Sequence, residues 1–131
     1  MKTAPGQQMT QSLEDYLEAI YVISKEVGNA CVRDVAFRLN VKMPSVVKAI
    51  HELKKLELVS QEPYGPIVLT AAGRRAAGSV LNRHNLIRTF LVKLGVSAKT
   101  ADKDACLMEH ILSAETLDKI RSYTQEKEMQ A

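Results

Sequence analysis

The stretch that decides the fold is VRDVAFRLNVKMPSVVKAIHELKKLELVSQEPYGPIVLT, residues 32–70. In its first part, apolar residues at positions 32, 35, 36 and 39 fall on one face of a short helix. After a tight connection, Pro44 and Ser45 open a second helix. Proline suits a first helical turn because its missing N–H would have no partner there. The second helix has one buried face, formed by Val46, Ile50, Leu53 and Leu56.

The end of this stretch changes its hydrophobic period. Between Leu58 and Thr70, short apolar segments flank a Pro/Gly-rich tip at residues 63–66, which predicts two short strands joined by a turn. Two helices with a short connection, followed directly by a hairpin, have the layout of a winged helix-turn-helix.

Helical patterns extend on both sides of this unit. Upstream, Ser12 is the predicted N-cap of a helix that ends at Gly28, and residues 1–11 are predicted to be a flexible lead-in. Downstream, Thr70 is the predicted cap of a long helix that stops at Gly95. Ser97 begins a further predicted helix, and a last helix runs to about Tyr123. The predicted fold is mainly α: a winged helix-turn-helix domain over residues 1–73 and an all-helical domain over 74–131.

Length and composition narrow the classes of protein that this chain can be. The 131 residues are 46% hydrophobic and 25% charged, which is typical of a folded domain and excludes a disordered chain. No apolar run approaches the roughly 18 residues of a membrane span, and the N-terminus does not read as a signal peptide. Two cysteines are too few for a disulfide scaffold, so we expect a cytoplasmic protein.

Positive charge is concentrated around the predicted helix-turn-helix. Residues 33–75 contain eight basic and four acidic side chains, a net charge of +4 against +3 for the whole chain. A surface that neutralises DNA phosphates needs such a concentration, and a recognition helix places its N-terminal residues at the base edges. The predicted contacts to double-stranded DNA are Arg33, Lys42, Met43, Pro44, Ser45, Lys48 and Tyr64. We expect a homodimer on a palindromic operator, with the dimer seam in the helices after residue 96.

Three segments carry side chains suited to a metal ion. Asp15 and Glu18 share a face of the first helix, His84 lies in the long helix, and a Cys-x-x-Glu-His cluster occupies one face of the next helix. Mixed oxygen and nitrogen ligation suits Mn²⁺ or Fe²⁺, and a thiolate favours softer ions. The predicted ligands are Asp15, Glu18, His84, Cys106, Glu109 and His110, for one or two ions in each protomer.

Each ligand type also has a simpler interpretation. Carboxylates in a first turn are stabilised by the helix dipole, and an isolated cysteine is more often a small core residue than a ligand. His51 and Cys31 are interpreted as structural, because neither has ligand partners at a suitable spacing.

The chain also resembles a known family in LEDYLEAIY (13–21), the helix-turn-helix, IVLTAAGRRAA (67–77), NRHNLI (82–87) and DACLMEHILS (104–113). These segments are similar, in the same order, to the metal-dependent repressors of the diphtheria toxin repressor and manganese transport regulator family. The resemblance implies a short, two-domain member in which a divalent metal switches the dimer to a DNA-binding form that represses genes of metal homeostasis.

The resemblance also sorts the ligand positions. Asp15, Glu18, His84, Glu109 and His110 match ligands of the manganese-type members, whereas Cys106 is similar to the iron-type members. Iron-type members have methionine in place of Asp15, and their second site uses a glutamate where this chain has Arg88. The resemblance therefore implies a ligand set that combines both types.

Three other functions remain as alternatives. The first is a winged-helix regulator that responds to an organic ligand, with a merely structural polar cluster; an aromatic content of 5% argues against it. The second is a small metal-dependent hydrolase, but no nucleophile or oxyanion donor accompanies the carboxylates, so we expect no enzyme and no catalytic residue. The third is a protein-interaction module, which would leave the basic segment unexplained.

Overall fold

A computed structural model describes the backbone of residues 9–130 and the side chains of residues 9–126. Within this range the chain has six helices and one two-stranded sheet, and it divides into two compact units, with Gly78 ending the first and Ser79 beginning the second. Most of the predicted flexible lead-in lies outside the described residues. No helix in the described range is both long enough and apolar enough to cross a bilayer.

The first helix, α1 (Gln11–Val27), begins two residues after the start of the described chain. Its N-cap is Thr10, whose Oγ1 accepts a hydrogen bond from the Leu13 N–H at 3.1 Å. The prediction that Ser12 is the cap is therefore wrong, because Ser12 already lies inside the first turn. The predicted end is confirmed: Gly28 closes the helix with a φ of 90°, a conformation that favours glycine.

The helix-turn-helix consists of α2 (Val32–Leu39) and α3 (Met43–Lys55). Asn40 ends α2 in the left-handed conformation, with a φ of 56°, and this allows the chain to reverse within three residues. Proline lies in the first turn of α3, as predicted.

The wing is an antiparallel hairpin of β1 (Val59–Gln61) and β2 (Ile67–Leu69). Val59 pairs with Leu69 and Gln61 with Ile67, so the two strands have no bulge. The wing is tied to the loop after α1, because the Ile67 N–H donates to the Ala30 carbonyl at 2.8 Å. The predicted winged helix-turn-helix is confirmed.

One apolar core holds the first unit together. Leu17 and Ile20 from α1, Val35 from α2 and Val46 and Leu53 from α3 are all fully buried in it. Burying a side chain of this size contributes about 1.5–3 kcal/mol, so these residues supply much of the stability of the unit.

The long helix α4 (Ala71–Leu94) starts at the wing and is capped by Thr70, as predicted. Thr70 Oγ1 accepts from the Gly73 N–H at 3.0 Å and donates to the Glu57 carbonyl at 2.9 Å. A Cβ on Gly73 would lie 2.0 Å from the Leu58 carbonyl oxygen, so only glycine allows this close approach.

The second unit consists of the later part of α4 with α5 (Ala98–Met108) and α6 (Ala114–Gln130). Ser97 caps α5 through the Thr100 N–H, and Ser113 Oγ accepts from the Thr116 N–H before α6. The prediction that the last helix ends near Tyr123 is wrong: the helix continues to Gln130, through residues with good helix propensity.

A smaller core joins the three helices of the second unit. Ile87, Ala105 and Leu117 form its buried centre, one from each helix. Phe90 and Tyr123 add an edge-to-face ring contact between α4 and α6, with ring centroids 5.8 Å apart. This packing fixes the face of α4 that carries His84 relative to the end of α5.

Candidate metal centre and nucleic-acid interface

The second unit contains a buried cluster of two imidazoles around one carboxylate. Glu109 is 2% exposed, and its two oxygens face different histidines. Oε1 lies 2.9 Å from His84 Nδ1, and Oε2 lies 3.3 Å from His110 Nε2. A buried carboxylate is costly unless charged or hydrogen-bonding groups surround it, so this arrangement is a specific feature and not a solvated surface pair.

The end of α5 positions this carboxylate. The helix stops at Met108 and Glu109 is its C-cap residue, with its N–H still bonded to the Ala105 carbonyl at 3.0 Å. Arg83, which the sequence analysis did not single out, fixes the same residue from α4, because its Nε donates to the Glu109 carbonyl at 2.9 Å.

The prediction places Cys106, Glu109 and His110 together on one helix, but α5 ends at Met108, so only Cys106 lies within it. The helical period does not extend past Met108, and the His110 N–H turns to the Leu107 carbonyl, three residues back, in a tighter turn. Glu109 and His110 reach the cluster from this turn.

Cys106 stays outside the cluster in this structure. Its side chain is exposed, and no close group of three potential ligand atoms among the described residues includes its sulfur. Its role as a ligand stays a prediction.

The two predicted ligands of the first unit lie on α1. Asp15 and Glu18 are three residues apart, both are partly buried, and the helix between them is regular. Residues at this spacing project from the same face of a helix. The two carboxylates therefore lie on one face of α1, and their ligation of a metal stays a prediction.

The donor set in the second unit fits a first-row divalent ion. Imidazole nitrogen and carboxylate oxygen are ligands that Mn²⁺ and Fe²⁺ accept together. Glu109 already lies at hydrogen-bonding distance from each imidazole, with one carboxylate oxygen facing His84 and the other facing His110. An ion would replace the protons that these atoms share.

Asp102 is a second polar residue at this site that sequence reasoning missed. Its Oδ1 lies 2.8 Å from His84 Nε2, so the imidazole lies between two carboxylates. One signal was present: Asp102 precedes Cys106 by four residues and therefore lies one turn away on α5. Its partner on α4 could be identified only from the packing of the two helices.

The predicted DNA contacts all lie on the surface of the first unit. On α3, Val46, Ala49, Ile50 and Leu53 are buried, which leaves the opposite face exposed. The exposed predicted residues are Arg33, Lys42, Met43, Pro44, Ser45, Lys48 and Tyr64.

Two further exposed side chains continue this face of α3. Val47 and His51 follow Pro44 by three and seven residues, so both lie on the same helical face. Tyr64 lies at the tip of the wing with a φ of 60°. The exposed face of α3 and the wing tip form the candidate nucleic-acid interface.

Both halves of the chain match models of known protein families. Residues 8–67 match the family model "Iron dependent repressor, N-terminal DNA binding domain". Residues 70–129 match "Iron dependent repressor, metal binding and dimerisation domain".

Individual relatives agree. The transcriptional regulator MntR of Escherichia coli O6:H1 is 41% identical over 86% of this chain and 73% of its own length. The HTH-type transcriptional regulator MntR of Geobacillus kaustophilus is 39% identical over 88% of this chain and 82% of its own length.

A solved structure shares the fold. A manganese-dependent transcriptional repressor in complex with manganese superposes with a TM-score of 0.79 at 29% identity, over 86% of this chain. This chain spans 52% of that solved chain, about half its length. The family models and the relatives together show that the chain belongs to the iron-dependent repressor family, with a DNA-binding half followed by a metal-binding and dimerisation half.

Proposed function

We propose that this chain is a metal-dependent transcriptional repressor that binds operator DNA when Mn²⁺ or Fe²⁺ is bound, and that it controls genes of metal-ion homeostasis. The observation that carries the proposal is the buried cluster of His84, Glu109 and His110, with Glu109 between two imidazoles. It lies in the half that matches a metal-binding domain, and the other half presents an exposed basic recognition helix.

The proposed ligands are Asp15, Glu18, His84, Cys106, Glu109 and His110, around one or two ions in each protomer. Support comes from the matching ligand types in the sequence, the paired carboxylates on α1 and the cluster in the second unit. A bound divalent ion supplies positive charge that neutralises the carboxylates.

The proposed switch is a thermodynamic linkage. Asp15 and Glu18 belong to residues 1–73, which we assign to DNA binding, and the other ligands belong to residues 74–131, which we assign to metal binding and dimerisation. Ligands drawn from both parts would favour one arrangement of the recognition helices, and a ligand that prefers one conformation shifts the population towards it. Couplings of this kind are typically about 1–3 kcal/mol.

The proposal also specifies the active species and its contacts with DNA. The active species is a cytoplasmic homodimer that binds a palindromic duplex, and it carries no enzymatic activity. Lys42 and Lys48 contact phosphate or guanine, Ser45 contacts a base edge, and Pro44 and Met43 supply apolar contact. Arg33 and Tyr64 contact the duplex at the edges of this surface.

The test is the affinity for an operator duplex, measured by fluorescence anisotropy with and without Mn²⁺ and, anaerobically, Fe²⁺. The duplex is selected from a random library with metal-loaded protein. We expect at least a fivefold gain in affinity with metal, the lower end of typical coupling. The variant Glu109→Gln, which removes the buried charge between the histidines, should lose that gain. Equal affinities with and without metal would contradict the proposal.

A further inference from the structure

His84 lies between two carboxylates in the second unit. It is 8% exposed, and both ring nitrogens face carboxylates: Nδ1 faces Glu109 Oε1 at 2.9 Å and Nε2 faces Asp102 Oδ1 at 2.8 Å. A histidine that binds a metal does so through its unprotonated nitrogen, and the other nitrogen keeps its proton and donates a hydrogen bond. The two carboxylates are therefore not equivalent.

Burial separates the roles of the two carboxylates. The Glu109 side chain is 1% exposed and also faces His110 Nε2, so it lies on the side where candidate ligands converge. The Asp102 side chain is 58% exposed and lies on the opposite side of the imidazole ring.

A fixed cation already stands beside Asp102. Arg88, one helical turn after His84 on α4, places its Nε 3.7 Å from Asp102 Oδ1. The guanidinium balances the Asp102 charge, so a second metal ion at that oxygen would have to approach a positive group. Asp102 is therefore suited to accept a hydrogen bond from the imidazole and poorly suited to bind a metal ion itself.

We propose, on the basis of the function proposed above, that Asp102 is a positioning residue for the metal centre. It accepts the Nε2–H of His84, which fixes the tautomer and the ring orientation so that Nδ1 binds the ion. Arg88 holds the Asp102 carboxylate in place and keeps a second ion from the Nε2 side. A carboxylate that accepts a hydrogen bond from a metal-bound histidine also makes that histidine a stronger ligand.

The test compares Mn²⁺ affinity, measured by calorimetry, in the wild-type protein and three variants. Asp102→Ala should weaken Mn²⁺ binding by roughly 10- to 100-fold, the usual effect of losing such a partner. Asp102→Asn keeps an oxygen that can accept the proton, and it should recover part of the loss. The matched control is Asp104→Asn, which removes another exposed carboxylate of the same helix and should stay within about twofold, because no ligand depends on it.

A second measurement separates positioning from a general effect on folding. In ¹⁵N-labelled protein loaded with ¹¹³Cd²⁺, the metal should couple to His84 Nδ1 in the wild type, and this selectivity should be lost in Asp102→Ala. Thermal unfolding of the metal-free variants provides the check on folding, because the Asp102 side chain is mostly exposed.

The outcomes distinguish this inference from the function on which it rests. If the wild type binds neither Mn²⁺ nor Fe²⁺, the positioning role and the proposed function are both overturned. If the wild type binds metal and Asp102→Ala binds it equally well, or if ¹¹³Cd couples to Nε2, the positioning role is overturned and the proposed function stands. A weakened Asp102→Ala that retains coupling to Nδ1 alone would also overturn the proposed tautomer control.

Discussion

Glu109 combines a structural role with its proposed role as a metal ligand. Its backbone caps α5 and accepts a hydrogen bond from Arg83, while its carboxylate contacts His84 and His110. The backbone contacts fix the position of the Glu109 main chain, and the two histidines fix the position of its carboxylate oxygens. The carboxylate is therefore held in one place before any ion binds, which is the preorganisation that the proposed metal site requires.

Cys106 provides a prediction about metal selectivity. Replacing it with alanine should lower the affinity for Fe²⁺ more than the affinity for Mn²⁺, because thiolate prefers softer ions and oxygen ligands suit Mn²⁺. Cys106→Glu should shift the preference further towards Mn²⁺. Both affinities are measured anaerobically by competition with a chelating dye. The matched control is Cys31→Ala, which removes the other exposed cysteine, in the loop before α2.

A ratio of Fe²⁺ to Mn²⁺ affinity that is unchanged in both Cys106 variants would show that the sulfur takes no part in selecting the metal. The oxygen and nitrogen ligands would then set the selectivity alone.

The sequence singled out candidate ligands more readily than the residues around them. Glu109 and His110 stood out as adjacent ligand types, and His84 as an imidazole in the long helix; the structure brings Glu109 against both histidines, and their ligation of a metal stays a prediction. Asp102 could not be identified in the same way, because an exposed aspartate on a helix is ordinary. Its contact with His84 depends on how α4 packs against α5, which no local pattern encodes.

At the scale of the elements, helix ends were predictable where a single cap residue was available. Thr70 and Ser97 were identified from the sequence, and each accepts a hydrogen bond from a backbone N–H in the structure. At the start of α1, Thr10 and Ser12 have similar capping chemistry, and the sequence pattern favoured the wrong one.

The start of α1 provides a prediction about stability. Thr10→Ala should lower the free energy of unfolding by about 0.5–2 kcal/mol, because it leaves the Leu13 N–H without its cap. Ser12→Ala is the matched control and should change stability by no more than about 0.5 kcal/mol, because Ser12 is an exposed residue inside the helix. Urea denaturation followed by circular dichroism measures both. A larger loss for Ser12→Ala would reverse the assignment of the cap.

The recognition helix provides a prediction about DNA binding. Lys48→Glu should weaken binding to every duplex and reduce the dependence of affinity on salt by about one unit of slope, because it removes a proposed phosphate contact. Lys54→Glu makes the same change of charge near the C-terminal end of α3, away from the residues that enter the groove, and should have a smaller effect. Anisotropy titrations at several salt concentrations provide the slopes. Equal losses for the two variants would indicate a general effect of charge and no specific interface.

For the whole molecule, the order of elements was predictable from the sequence. The helices share one hydrophobic period and the hairpin has another, and both periods could be recognised between residues 12 and 123. The end of α6 was not predicted, because its last turns carry polar residues that resemble a frayed tail in sequence and yet have good helix propensity. Periodicity therefore identified the elements, and residue chemistry alone did not fix their limits.

The account depends on an energetic coupling between metal binding and DNA binding within one molecule. Such a coupling must act in both directions, because the two ligands share one thermodynamic cycle. If metal strengthens DNA binding by a given factor, DNA must strengthen metal binding by the same factor. Neither a metal-binding protein with unrelated DNA affinity nor a structural metal site has this property.

The most direct test is a calorimetric titration of the protein with Mn²⁺, with and without a saturating concentration of its operator duplex. We predict that the duplex tightens Mn²⁺ binding by about 5- to 150-fold, and by the same factor as Mn²⁺ tightens DNA binding. Mn²⁺ affinities that are equal with and without the duplex would contradict the account.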